Sequence, residues 1–423
     1  MMKKVLCGAC ALLMSFCFFA AACEGPGAEP GTDDSGTNEE PKAVSYSEEV
    51  ESIEYLHLLT GADSPNQTDF YTVGGCDLGF PCYNSVNDTM YMFFGDTFTS
   101  PMQSGRWRSN TIARSTDYNL SDGLAIDDFI TSSSGIAIPA IDGHHVDLYE
   151  ITKIPTGIVE VGGTMYMYYF SKYSWNVPAG ESMNYGGAVK STDNGLTWER
   201  VYDMTWVDHA EGENIEQIQK LVNEDVDFVQ DSGDVDLKEH EAYDFTQIFP
   251  KDGGDGYIYI YGEGGYRSQG LKLARVKKEN IEVFAEYEYM TGYAEGQPVW
   301  VKGRAGLDAI KDNPDSFVIK DTFGEMSVMY NAYLEKWMLF TVNGAADNRY
   351  GAVYYTSDTP YGPFSEEAVM IVPSDSEVLV LQGSLYAPMT HEKWQEQNGK
   401  VFYIVLSVWM PVYNPSVYRV VLK

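Results

Sequence analysis

Five stretches of the chain share one hydrophobic pattern: two apolar runs separated by a few turn-forming residues. They begin near Gly75, Ile154, Phe245, Phe323 and Leu385, and each predicts a β-hairpin. Runs such as Met165-Tyr-Met-Tyr-Tyr-Phe170 and Tyr257-Ile-Tyr-Ile-Tyr261 have the aromatic and β-branched content of strands. An apolar hairpin recurring every roughly 60–90 residues predicts an all-β fold, a five-bladed β-propeller with long insertions. The strand-like segment from Ser52 to Leu59 would close the ring beside the last strand, Val417 to Leu422.

One region breaks the pattern. Between blades two and three, about residues 199–243, the hairpin rhythm gives way to a helical and acidic insertion. Ile215, Ile218, Leu221 and Val222 fit an amphipathic helix over Glu211 to Asp225. The insertion reads as a solvated decoration, with one wall of a groove as the alternative. Just before it, Ser191-Thr-Asp-Asn-Gly-Leu-Thr-Trp198 matches the Asp-box, a structural turn common in sialidase-like propellers. There the Asp oxygen caps backbone N–H groups, Gly takes the left-handed position and Trp packs between strands. Tyr354 to Phe364 similarly resembles a strand-and-turn of propeller arabinanases and xylosidases.

The first hairpin carries the candidate chemistry. Apolar runs Leu78 to Tyr83 and Met90 to Phe94 flank the turn Asn84-Ser-Val-Asn-Asp88. A turn centred near Val86 and Asn87 sets Asp77 directly opposite Asp96, with Cβ atoms about 4.5–5.5 Å apart. Like charges there weaken the pair, so structure alone does not favour them. Glycoside hydrolysis needs such a pair, one carboxyl to protonate the leaving oxygen and one to activate water or attack. The plainer alternative is two solvated strand-end acids in an acidic protein.

Composition narrows the partners. Lys3-Lys4, the apolar run Val5 to Ala22 and the small residues before Cys23 predict a lipoprotein signal peptide over 1–22, with Cys23 acylated. Residues 23–45 lack apolar content and read as a disordered tether. Residues 46–423 form the propeller catalytic domain. These features place the protein in the cell envelope, held by lipid at the outer membrane. The net charge of −34 disfavours nucleic acid and anionic lipid, and makes a neutral polysaccharide the easier ligand. Cys76 and Cys82 are the cysteines left after the leader and the lipid site. On a straight strand they stand roughly 20 Å apart, too far for a disulfide unless the chain bends sharply at Gly79-Phe80-Pro81.

The motifs together resemble a known family. They are Cys76-Asp-Leu-Gly-Phe-Pro81, Phe94-Gly-Asp-Thr-Phe98, Arg108-Ser-Asn110, Ile154-Pro-Thr-Gly157, Tyr261-Gly-Glu-Gly-Gly-Tyr-Arg267, Gly324-Glu-Met-Ser-Val-Met-Tyr-Asn331 and Tyr386-Ala-Pro-Met-Thr-His391. Their order and content resemble the family once called domain of unknown function 4185, now glycoside hydrolase family 183. The resemblance runs from about residue 50 to the C-terminus. Cys76 replaces an expected Thr and Ala387 an expected Gly. It implies an endo-D-arabinanase acting on the D-arabinan of mycobacterial arabinogalactan and lipoarabinomannan, with Asp77 and Asp96 as the catalytic pair.

Further candidates have weaker signals. Glu325 opens the fourth hairpin and is a third acid, or a cross-blade structural one. Arg267 would grip a carboxylate or sugar hydroxyl, or a surface ion-pair partner. Asn110 would bind sugar hydroxyls or form a turn, and His391 would donate to glycan, tune a carboxylate or sit satisfied in its loop. Trp175, Tyr173 and Tyr266 would stack on furanose rings, unless they belong to the core. His144-His145 is too sparse for a metal site, and no metal or organic cofactor is implied; a structural Ca²⁺ on the axis is compatible with the acid excess. The chain reads as a monomer. A non-catalytic glycan-binding lipoprotein and a furanosidase for another arabinan are the alternative functions.

Overall fold

The apolar runs become strands with almost no solvent-facing side. Thr89–Phe94 and Val401–Val408 are buried at every position, as expected where each sheet packs against a sheet on either face. The protein, a computed structural model, is described over residues 46–208, 212–223, 237–321, 324–345, 349–371 and 385–423. The predicted leader, Cys23 and tether lie outside the described residues.

The sheets form a five-bladed β-propeller. Blade one comprises Leu78–Asn84, Thr89–Phe94, Thr111–Ser115 and Asp128–Phe129; blade two comprises Thr152–Val161, Thr164–Lys172, Met183–Ser191 and Glu199–Val207. Blade three begins with Gln247–Asp252, Tyr257–Glu263 and Leu271–Lys277, and adds the hairpin Glu288–Ala294 and Gln297–Lys302 at its edge. Blade four is Ser327–Asn331, Lys336–Ala345, Arg349–Ser357 and Ala368–Ile371. Blade five is Leu385–Met389, Val401–Val408 and Asn414–Leu422, completed by the N-terminal strand Val50–Leu58. That strand pairs antiparallel with Asn414–Leu422, Ile53 opposite Val420, so the two ends of the propeller are joined as the sequence predicts. Joining first and last strands in one sheet removes two open edges.

The Asp-box has the predicted anatomy. Asp193 Oδ1 accepts from Thr197 N at 2.9 Å, Gly195 sits at φ 81°, and Trp198 meets Phe93 edge-on at 5.8 Å. Cys76 and Cys82 are free and buried.

The insertion differs from the prediction in two ways. Glu199–Val207 is the outer strand of blade two, because its alternating Met204 and Trp206 complete that sheet. The helix runs Gly212–Asn223, and Ile215, Ile218, Leu221 and Val222 are buried in the main core. A face of four apolar side chains is covered, so the helix is packed structure and not a solvated decoration. Residues 209–211 and 224–236 lie outside the described residues. A second short helix, Gly303–Ile310, packs beneath the edge of blade three with Leu307 and Ile310 buried.

Candidate active site

The first residues of the inner strands line one mouth of the propeller axis. Asp77, Ile154, Glu325 and Tyr386 come from blades one, two, four and five and border one cavity of about 730 Å³. The sequence-predicted Asp77, Asp96, Glu325, Arg267 and Trp175 all face it, as does Tyr266. Tyr173 is not among its lining residues.

Asp77 and Asp96 converge, but not by the expected pairing. Leu78 opposes Phe94 while Phe80 opposes Phe93, so Gly79 is a bulge that slips the register by one. Gly95 N donates to Asp77 O at 3.2 Å, which sets Gly95 across from Asp77 in place of Asp96. Leu78 (φ 65°) and Gly79 (φ 92°) both adopt left-handed backbone at the bulge, a local strain of the kind bulges use to re-aim a side chain. A Cβ on Gly95 would lie 2.4 Å from Asp77 Oδ1. Glycine at 95 is therefore what lets the Asp77 carboxyl lie flat across the hairpin.

The two carboxyls have different surroundings. Asp96 is 8% exposed, and its Oδ1 accepts from Thr152 Oγ1 at 2.6 Å and from Trp107 Nε1 at 2.7 Å. Asp77 is partly buried; Tyr386 Oη donates to its Oδ2 at 2.8 Å, and its Oδ1 has no hydrogen-bond partner. Burial is the main cause that pushes both up to about 7. At Asp77 the charges of Asp96 and Glu325 add to burial, while the Tyr413 and Tyr386 hydroxyls oppose it. At Asp96 the donors Thr152 and Trp107 and the charge of His145 pull downward. Two neighbouring carboxyls that titrate near neutrality, one with two donors on a single oxygen and one with an oxygen left without a partner, can share acid and base work.

Around the pair lies an aromatic frame. A short hairpin, Thr97–Ser100 with Ser104–Arg108, brings Phe98, Gln103 and Trp107 to the mouth, with Phe98 stacked on Trp107 at 5.8 Å. Tyr413 and Trp409 arrive from blade five, and the Gln103 amide ties the two loops by donating to Trp409 O at 3.2 Å. On the far wall Lys172 Nζ sits 3.8 Å over Tyr266 and 4.4 Å over Trp175, whose rings meet edge-on at 5.4 Å. Trp175 is 43% exposed and Trp409 47%. Large exposed indoles on a cavity wall are what sugar rings stack on.

Glu325 and Arg267 form a pair. Arg267 Nη2 donates to Glu325 Oε2 at 2.6 Å, and Glu325 is nearly buried. Arg267 lies 4.9 Å from the Tyr266 ring and 5.4 Å from that of Tyr386, the residue that donates to Asp77. Glu325 is thus held by Arg267 at the same cavity as Asp77 and Asp96. Behind it, the fully buried Glu263 is pushed well above the usual carboxyl range by burial and by the charge of Glu325.

Two predicted residues lie elsewhere. Asn110 is fully buried: its Nδ2 donates to Ile141 O at 2.7 Å and Lys153 O at 3.2 Å, and its Oδ1 accepts from Ala140 N at 2.8 Å. Its amide is consumed by backbone and does not border the cavity. His391 sits at the other mouth, where its Nδ1 accepts from Lys393 N at 3.0 Å as the cap of a short 3₁₀ turn. Burial lowers it to about 4, so it is neutral. His144 and His145 turn to different carboxylates, Glu150 and Asp142, and do not converge on one ion. Among the described residues no three His, Cys, Asp or Glu side chains gather as a metal-binding group.

Trp107, Tyr386, Tyr413, Trp409 and His145 are the site residues that sequence reasoning missed or left unassigned. Tyr386 lay in a quoted motif, and its neighbour Ala387 gave a signal: the expected glycine position has φ 51°. Trp107 lies in a short two-stranded hairpin outside the blades and Trp409 in a loop, and no periodicity encodes the direction of either.

Among relatives, a beta-D-galactofuranosidase of Aspergillus niger is 27% identical over 172 residues, 39% of this chain and 36% of that protein. The chain thus spans about a third of that relative's length. Among solved structures, a putative hydrolase from Bacteroides ovatus superposes with a TM-score of 0.48 at 12% identity, over 84% of this chain and 89% of that one. An endo-arabinase from Bacteroides thetaiotaomicron gives 0.41 at 10% identity, over 84% and 96%. The chain belongs to the family described as Domain of unknown function (DUF4185), which matches residues 63–422.

Proposed function

We propose that the protein is a glycoside hydrolase that cleaves internal α-D-arabinofuranosyl linkages of D-arabinan, with Asp77 and Asp96 as its working carboxyls. One observation carries the reading: at a single aromatic-walled mouth, two carboxyls near neutral pKa meet, one held by two donors and one with a buried oxygen that has no partner. That is the equipment for protonating a glycosidic oxygen while activating water or attacking the sugar. The motif set that resembles glycoside hydrolase family 183 supports the substrate. In the same reading the enzyme acts as a monomer, anchored by a lipid on Cys23 at the outer membrane.

A second substrate has its own support. The Aspergillus niger relative is a galactofuranosidase by name, which favours a furanosyl polymer of galactose. Incubating the protein separately with D-arabinan, L-arabinan and a galactofuranan, then resolving products by size, separates them. A ladder from D-arabinan alone supports the reading. A ladder from another polymer replaces the substrate and keeps the chemistry. No products from any, with retention on the D-arabinan, leaves a glycan-binding protein.

A further inference from the structure

The loop between blades one and two carries His145, whose two ring nitrogens face acceptors only. Nδ1 lies 3.2 Å from Ile151 O and Nε2 lies 3.0 Å from Asp142 Oδ1. A carbonyl has no proton to give. Asp142 Oδ1 also accepts from Ser109 N at 2.9 Å, and the partners of Asp142 hold it below the usual carboxylate range against its burial. Both nitrogens must therefore donate, and a ring that donates twice is an imidazolium. Its hydrogen bond to Asp142 raises His145 above the ordinary histidine value, which agrees.

The position of this cation gives it a task. The His145 ring lies 4.2 Å from the Trp107 ring, centre to centre, within cation–π range. Trp107 in turn donates its indole N–H to Asp96 Oδ1. The φ of His145 is 54°, so the backbone holds the ring here in a conformation that side-chain-bearing residues seldom adopt. The charged groups facing the cluster are Asp142 on the same loop, Asp96 beyond the second strand of blade one, and Arg108, whose charge acts on Asp142. The charge of Asp142 pushes Asp96 up while that of His145 pulls it down. His144 and Lys153 from the neighbouring stretch turn to Glu150.

We propose that His145, as an imidazolium tilted against Trp107, is a positioning residue that favours the ionised form of Asp96 over that of Asp77 and thereby makes Asp96 the base or nucleophile and Asp77 the acid. The inference rests on the hydrolase reading for its kinetic consequence, though not for the state of the ring. At Asp77 the named charges are both negative: its Oδ1 is buried without a partner, and the charges of Asp96 and Glu325 favour its protonated form against the Tyr413 and Tyr386 hydroxyls. One cation thus breaks the symmetry of the pair.

Two measurements test it. In the full chain labelled with ¹⁵N-histidine, the His145 signal assigned by its loss in His145→Gln is expected at imidazolium shifts for both nitrogens at pH 7. A bare ring nitrogen at that pH overturns the proposal, whether or not any glycan is cleaved. In the pH profile of kcat/KM, His145→Gln is expected to move the acidic limb up by about 0.5–1 pH unit and leave the alkaline limb in place. A uniform loss of rate with unmoved limbs, or a shift of the alkaline limb instead, overturns the assignment of roles. If the parent cleaves nothing, the hydrolase reading fails while the ring measurement still stands.

Discussion

The two mouths of the propeller axis share inner strands of four blades, and they treat polar groups in opposite ways. Where the strands begin, a cavity of about 730 Å³ holds Asp77 and Asp96, raised towards neutrality, with one buried carboxyl oxygen left without a partner. Where they end, a cavity of about 370 Å³ holds Lys251 paired with Glu392 at 2.5 Å and His391 capping a turn. Lys251 and His391 help pull Glu392 down to about 2, against its burial. At this mouth charge is neutralised, as in structural ion pairs. At the other, acids are buried against their preference, an arrangement that costs stability and marks working sites.

The comparison breaks most sharply at the bulge. Gly95→Ala pushes a methyl towards Asp77 Oδ1, at 2.4 Å if nothing moves, and is expected to lower kcat/KM by about 10²-fold by displacing that carboxyl. Glu392→Gln at the far mouth should leave kcat/KM within about threefold, because Glu392 lines a different cavity from Asp77 and Asp96. Equal losses from the two variants, in steady-state kinetics, erase the distinction between the mouths.

Next is the buried pair. Arg267→Met strands Glu325, and the expected destabilisation is about 3–5 kcal/mol by urea titration. The Glu392→Gln loss is smaller, about 1–2 kcal/mol, since that pair is more open to water. A near-neutral Arg267→Met would contradict the view that Arg267 neutralises a nearly buried Glu325.

The pH dependence of stability separates the mouths by sign. The folded-state values of Asp77 and Asp96 lie near 7, above the ordinary carboxyl range. Between about pH 4 and 7 the folded state therefore binds more protons than the unfolded one, and stability falls as pH rises. Asp96→Asn removes one such group and is expected to stabilise by about 1–3 kcal/mol at pH 8, with the gain fading near pH 4. Glu392, held low, works the other way: its contribution is present above the unfolded value near 4.5 and is lost as pH falls through about 2. A gain for Asp96→Asn that is equal at both pH values contradicts the raised pKa.

The smallest effect tests the aromatic wall. Trp175→Ala should raise KM on polymer about 3–10-fold with kcat nearly unchanged, the worth of one ring contact. A fall in kcat with constant KM would place Trp175 in the chemistry and not in binding.

Sequence pattern revealed the architecture because each inner strand is an apolar run with its own turn, from Leu78–Asn84 through Leu385–Met389. The closing strand was legible for the same reason. The meeting of Asp77 and Asp96 was legible, but their register was not, since alternation cannot announce a bulge at Gly79. His391 was misplaced by distance along a strand. It stands five residues beyond Tyr386, and at about 3.3 Å per residue that carries it roughly 16 Å down the axis. Asn110 looked available because sequence does not show three backbone groups claiming its amide. Trp107 and His145 meet through tertiary packing of two loops, and only the folded chain brings an indole and an imidazole to one carboxyl.

The most direct test compares three variants on one polymer: Asp77→Asn and Asp96→Asn at the first mouth, Glu392→Gln at the second. Each is incubated with D-arabinan beside the parent, and the products are resolved by size after circular dichroism has established folding. The account predicts a ladder of oligosaccharides from the parent and from Glu392→Gln, and kcat lower by about 10²–10⁴-fold in both Asp variants. Undiminished ladders from folded Asp77→Asn and Asp96→Asn would contradict it.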